Sequence, residues 1–190
     1  MPAVVDHDER RAEIVMIAAN VIGRGGLKAA TIRNVAAAAG CSTKVITHYF
    51  ADKSELLFRV YYDAAMRSQH RFDTSFARDP CDLQAALEAF LPLDQDIVRD
   101  WKIFIASWDM AFSEGIFLDR QRFWLKNARQ LIQQVLEARR IAGCSVHADV
   151  KEAQRLLMLV MGIASQAVFG ERIWSASNQR RILAEELLRA

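Results

Sequence analysis

The chain is short of the residues that break or staple a fold. Its 190 residues hold three prolines, eight glycines and three cysteines. So few breakers, against abundant Ala, Leu, Arg and Glu, favour helix throughout. Cys41, Cys81 and Cys144 are odd in number and widely spaced, which implies no disulfide framework and makes a reducing cytoplasm the simplest location. No apolar stretch reaches the roughly 20 residues needed to span a bilayer. The longest, Leu156 to Phe169, is interrupted by Ser165 and Gln166, so no membrane partner is expected. The opening MPAVVDHDERRAEIV sets acids beside its arginines and lacks an apolar signal core, so no secretory leader is expected. The four histidines, His7, His48, His70 and His147, show no metal-ligand spacing. With no nucleophile elbow, phosphate loop or zinc-protease helix either, catalysis, metals and cofactors are not expected. Asp94 and Asp96, just after Pro92, read as a helix start and not as an acid–base pair.

One further absence carries positive information. From Ile14 to Ala51 there is no Asp or Glu, while Arg24, Lys28, Arg33 and Lys44 are all cationic. The net charge of +2 says little by itself. An acid-free segment, however, is what a phosphate-facing module needs, because phosphate neutralisation supplies most sequence-independent affinity for nucleic acid.

Periodicity and capping signals divide the chain into nine helices, with no alternation that suggests a strand and no internal repeat. The first is expected over Asp6 to Ile22, with Ile14, Ala18, Val21 and Ile22 inward, closed by Gly23, Gly25 and Gly26. Thr31 and Ser42 cap the second and third, and Asp52 caps a long fourth that Pro80 breaks. Asp82 to Leu91, Asp96 to Ser113, Ile116 to Ile141, Ala148 to Phe169 and Asn178 to Arg189 complete the set. The fold class is all-α: a three-helix head over residues 1–53 and a larger helical part over 54–190, joined by the fourth helix as a rigid rod.

Within the acid-free segment, Thr31 to Lys53 reads as a helix-turn-helix, which places one short helix in the DNA major groove. Ile32, Val35, Ala36 and Ala39 give the first helix one apolar face. Gly40 supplies a left-handed turn, and Ala36 is small enough for a close crossing. Val45, Ile46 and Tyr49 face inward, leaving Thr43, Lys44, Thr47 and His48 outward. Lys44 suits guanine O6 and N7 or equally a phosphate. Thr43 and Thr47 suit a hydrogen bond or a thymine methyl. Ser42 reads more readily as a cap than as a direct reader, and Cys41 as turn packing.

Thr31-Ile-Arg33, Ala36, Ala39-Gly40, Ser42, His48-Tyr49-Phe50 and Lys53 with Leu56-Leu57 resemble the DNA-binding signature of TetR-type transcriptional regulators. The run CSTKVITHYFADKSELL, and Trp101 to Arg140, are similar to the betaine-pathway repressor branch of that family. Lys44 stands where Gly is frequent and Thr47 where Tyr is frequent, which bears on the operator sequence and not on the motif. The resemblance implies that Thr31, Arg33, Tyr49 and Lys53 hold backbone phosphates of a double-stranded operator; Tyr49 is alternatively a core aromatic with its hydroxyl at the rim. It also implies a cytoplasmic homodimer, a repressor released from a palindrome by a small-molecule effector. The effector expected from that branch is choline.

Trp101, Phe104, Ile105, Trp108 and Phe112 share one helical face, and Phe117, Phe123 and Trp124 follow. They read either as a packed aromatic core or as the wall of an effector cavity, with Trp101, Phe104, Trp108, Phe112 and Trp124 the candidate ligand contacts. Aromatic faces also attract quaternary ammonium groups. Leu156 to Phe169 is apolar nearly all round, so it is a monomer's central helix or faces a twofold copy across Gly162, Ala164 and Ser165. In the second case Ile182, Leu183, Leu187 and Leu188 of the last helix complete the interface, and two heads read a palindrome. The competing function is a helical dimeric interaction protein without specific DNA binding. Acids or a proline on the Thr43–Lys44–Thr47 face would favour it, and none is there.

Overall fold

The computed structural model describes residues 6–144, 149–170 and 172–189; His147 and Ala148 lie outside them. Among the described residues there are nine helices and no strand. They are α1 (His7–Ala29), α2 (Ile32–Ala38), α3 (Thr43–Tyr49), α4 (Lys53–Arg78), α5 (Leu83–Glu88), α6 (Gln95–Ser113), α7 (Gly115–Ile141), α8 (Val150–Phe169) and α9 (Ala176–Leu188). Several starts are fixed by the side-chain caps that their sequences advertise. Thr31 Oγ1 accepts from the Asn34 amide at 3.1 Å, and Asp52 Oδ1 accepts from the Glu55 amide at 2.8 Å. Gly40 takes φ +62° between α2 and α3, the left-handed conformation that only glycine adopts cheaply.

Two local expectations, the end of the first helix and the Ser42 cap, are corrected, and the helix start at Asp94 and Asp96 is borne out. The first helix does not stop at Gly23; it continues through Gly25 and breaks only at Gly26, where φ is +70°. Gly23 is a point of close approach: a Cβ there would lie 2.9 Å from Arg99 Cγ on α6. The cap of α6 is Asp94, accepting from the Ile97 amide at 2.8 Å, and Asp96 sits in the first turn paired with Arg99. Ser42 occupies the cap position of α3 but makes no capping bond with its side chain; the Val45 amide donates to the Ser42 carbonyl at 3.0 Å.

Two apolar cores fill the molecule. The first collects Ile14, Ala18 and Ile22 of α1, Val35 of α2, Ile46 of α3 and Leu56 and Val60 of α4 around Ile103 and Met110 of α6 and Phe117 of α7. The second joins Phe72 of α4, Leu87 of α5, Trp101 of α6, Ile132 of α7, Leu156 and Val160 of α8 and Leu183 of α9. Both α4 and α6 run through both cores, so the fourth helix is not the sole connection between head and body. On α6, Arg99 donates to Asn20 at 3.2 Å, and Lys102 reaches the Gly23 carbonyl at 3.4 Å, locking α6 onto α1.

Where α4 crosses α6, Asp100 is fully buried. Arg67 donates to it through Nε and Nη2, the shorter contact 2.6 Å, and Arg71 Nη1 adds a bond at 3.2 Å. A buried carboxylate held by two guanidinium groups is costly to break, because removing it strands the cations. The arginines remain about a quarter exposed, which softens that cost. Asp100→Ala is therefore expected to lower stability by about 2–3 kcal/mol, read from urea unfolding; a loss within error of zero would show that the clamp contributes nothing.

Candidate nucleic-acid interface

The two short helices of the head, α2 and α3, are seven residues each and are ordered by packing and not by their own propensity. Ile46 is fully buried, Val45 and Tyr49 are partly buried, and Ser42, Thr43, Lys44, Thr47 and His48 are exposed. The alternation predicted from helical spacing is thus the one present. Thr47 Oγ1 donates to the Lys44 carbonyl at 3.2 Å, leaving its methyl and remaining acceptor capacity outward. Ser42, having no capping bond, exposes its hydroxyl beside Thr43 and Lys44.

Around this face, Arg33 is exposed while Thr31 and Lys53 are half-buried. Among the described residues no carboxylate pairs with Arg33, Lys44 or Lys53, whereas the acids at the exit of α3, Asp52 and Glu55, are engaged. Glu55 bonds Arg11 at 2.8 Å and accepts from the Ala51 amide at 2.7 Å, and the Arg11 guanidinium lies 5.1 Å from the Phe50 ring centre. That knot holds the exit of α3 against α1. Cys41 is partly buried against the first core. Tyr49 packs against the same core with its hydroxyl at the exposed rim, 3.1 Å from His7 Nδ1, as the core-aromatic alternative expects. Local patterning carries no sign of this role for His7, because its partner lies 42 positions away.

A second candidate site lies in the body. Trp101, Phe104, Trp108 and Trp124 border one cavity of about 90 Å³ between α4, α6, α7 and α8. Phe112 does not join them: it is 90% exposed at the last turn of α6, beyond the end of the cavity. The cavity also has a polar wall that the aromatic pattern does not reveal: Ser68 and Gln69 on α4, Gln121 and Asn127 on α7. Its signal is the spacing Tyr61, Ala65, Ser68, Gln69, one helical stripe mixing aromatic and amide groups. Among the described residues no Asp, Glu, Lys or Arg lines it. Tyr61 donates to Gln121 Oε1 at 2.8 Å, and burial pushes its phenol well above the ordinary range, so it stays neutral. Trp101 Nε1 donates to the Phe90 carbonyl at 2.7 Å, whereas the buried Trp124 Nε1 has no acceptor among the described residues.

The outer side of α8 carries Met158, Gly162, Ser165 and Phe169, with Phe169 78% exposed. Ala164, expected on that side, is fully buried in the second core instead. On α9, Leu183 is buried and Ile182 and Leu187 pack on the same core, so only Leu188 stands out as expected of an outer face.

A tight two-helix turn with an exposed, cationic second helix, carried on an all-helical body with an uncharged cavity, is a helix-turn-helix architecture with a separate cavity-bearing body. Residues 14–60 match the family described as "Bacterial regulatory proteins, tetR family". The chain is 26% identical over 171 residues to the HTH-type transcriptional regulator PksA of Bacillus subtilis, covering 88% of this chain and 83% of that protein. It is 30% identical over 112 residues to the HTH-type transcriptional regulator BetI of Paraburkholderia phytofirmans, covering 57% of each. A transcriptional regulator from Saccharomonospora viridis, solved in complex with choline, shares the fold with TM-score 0.83 at 21% identity, over 94% of this chain and 95% of that one. The chain is a DNA-binding transcriptional regulator whose head matches the TetR type and whose similarity is BetI-like, and the relatives it resembles are regulators and not enzymes. Among the described residues no helix is long and apolar enough to cross a membrane.

Because Lys44 is exposed and has no carboxylate partner among the described residues, Lys44→Ala is expected to leave the unfolding midpoint unchanged. It should weaken duplex binding about tenfold, roughly 1–3 kcal/mol. Fluorescence anisotropy across a panel of duplexes reads which contact is lost. Weakening confined to one base position assigns a base edge, and uniform weakening with a shallower salt slope assigns a phosphate.

Proposed function

We propose that this regulator is a cytoplasmic homodimeric repressor that holds a palindromic operator and is released by a small molecule bound in the cavity of the body. The observation that carries the reading is the shared path of α4 and α6: each walls the cavity and packs the head, so a ligand that moves either one moves α3. Functionally we divide the chain at residue 53, with reading before it and sensing and pairing after it. Thr43, Lys44 and Thr47 read bases with Ser42 and His48 at their edges, and Thr31, Arg33, Tyr49 and Lys53 grip phosphates. The effector must bind the DNA-free arrangement more tightly than the bound one; otherwise no population shifts.

The homodimer is supported by the apolar outer stripe of α8, Met158 and Phe169 beside the small Gly162, with Leu188 of α9. The cavity favours an uncharged ligand or a quaternary ammonium over an anion, since aromatic faces attract a cation and nothing in the wall balances a carboxylate. Choline, which the Saccharomonospora viridis neighbour holds, fits that chemistry.

The purified protein titrated onto an operator selected from random DNA should bind as a dimer, with affinity falling steeply between two salt concentrations. Phe169→Glu should yield monomers by sedimentation and lose most operator affinity. Absence of a preferred sequence would overturn the proposed operator reading. Choline should displace the duplex, and Trp124→Ala, which removes an aromatic face from the cavity wall, should weaken that response about fivefold. A duplex that stays bound at millimolar choline would reject choline and redirect the search to uncharged ligands.

A further inference from the structure

Tyr49 ends the recognition helix, and any role for its neighbour His7 rests on the reading of Tyr49 as a phosphate contact. A phenol has one O–H. If that proton goes to a phosphate oxygen, the phenol oxygen can still receive a hydrogen bond, and its ring still needs a wall to hold it in place. The first turn of α1 supplies both. His7 Nδ1 lies 3.1 Å from Tyr49 Oη, and its ring centre is 5.9 Å from that of Tyr49. On the other side His48 meets Tyr49 edge-on at 5.1 Å, and the two histidines close the cluster at 6.0 Å. Asp6 accepts from the Asp8 and Glu9 amides and Arg10 is paired with Glu13 at 2.5 Å, while the Asp8 and Glu9 carboxylates are exposed in the same first turn as His7. His7 lies before the segment that matches the family, residues 14–60.

We propose that His7 is a positioning residue of the DNA interface: its Nδ1–H donates to Tyr49 Oη and so turns the Tyr49 O–H outward to a backbone phosphate. Both the Nδ1–H tautomer and the imidazolium supply that donor. The start of α1, remote in sequence from the recognition helix, thereby becomes part of the surface that meets DNA. His48 contributes the opposite wall and stays free to face solvent or a phosphate.

A double-mutant cycle on the full-length protein tests this, with anisotropy on the selected operator duplex and unfolding midpoints for every variant. Tyr49→Phe keeps the ring and removes the hydroxyl; it should weaken binding about fivefold to tenfold. His7→Ala should weaken binding about threefold to fivefold. His7→Asn, whose amide can donate from nearly the same position, should return within about twofold of the parent. In the Tyr49→Phe background, His7→Ala should add nothing. A merely structural histidine would still cost affinity there, so an undiminished His7→Ala loss in that background overturns the proposal. So does a His7→Ala variant that binds normally while Tyr49→Phe is weakened. If Tyr49→Phe itself binds normally, the phosphate reading of Tyr49 fails, and the role of His7 falls with it.

Discussion

The carboxylate of Asp100 is the constraint on which the arrangement depends. It is buried where α4 crosses α6, and the two arginines that hold it come from successive turns of α4. Their shared acceptor fixes the rotation of α4 about its own axis as well as its distance from α6. That rotation places Leu56 and Val60 under the head and Tyr61, Ala65, Ser68 and Gln69 into the cavity wall. One ionic contact therefore sets the orientation of the head relative to the cavity.

The head itself has little stability of its own to contribute. Helices of seven residues lie well below the roughly 12–15 residues at which isolated helices become marginal in water. Their order comes from Val35, Ala36 and Ile46, all sunk into a core whose floor is α6 and α7. The Glu55 knot to Arg11 and Ala51 then fixes the exit of α3. The outward face is left chemically unoccupied: Lys44 and Arg33 have no carboxylate partner among the described residues, which suits side chains meant for a polyanion.

Much of this is legible in the sequence because it is written locally. Thr31 and Asp52 cap as their residue types require, Gly40 turns where a left-handed residue is needed, and the inward set Val45, Ile46 and Tyr49 follows from helical spacing alone. The misreadings share a different cause. Gly23 resembles a helix stop because glycine is a poor helix former, yet its missing Cβ serves a contact with Arg99, 76 positions further on, that no local rule can register. Phe112 shares the face of Trp101, Phe104 and Trp108, but a helical face does not say how far along the axis a cavity extends. Size alone points Ala164 outward, although small residues also serve inward where helices pack closely. The pairing of His7 with Tyr49 belongs to the same class: tertiary, polar and without a periodic trace.

The passage of α6 beneath the head has a consequence for protein engineering. A fragment ended after Lys53 would keep the whole DNA-reading motif and lose Leu56, Val60, Ile103, Met110 and Phe117, the surface on which Ile14, Ala18 and Ile22 rest. Such a fragment has too little apolar partner area to stay folded, so this reading head is not a portable cassette. On the proposed assignment of base reading to the exposed residues of α3, grafting would mean transferring those residues onto a host head that brings its own floor, and not moving the motif as a block.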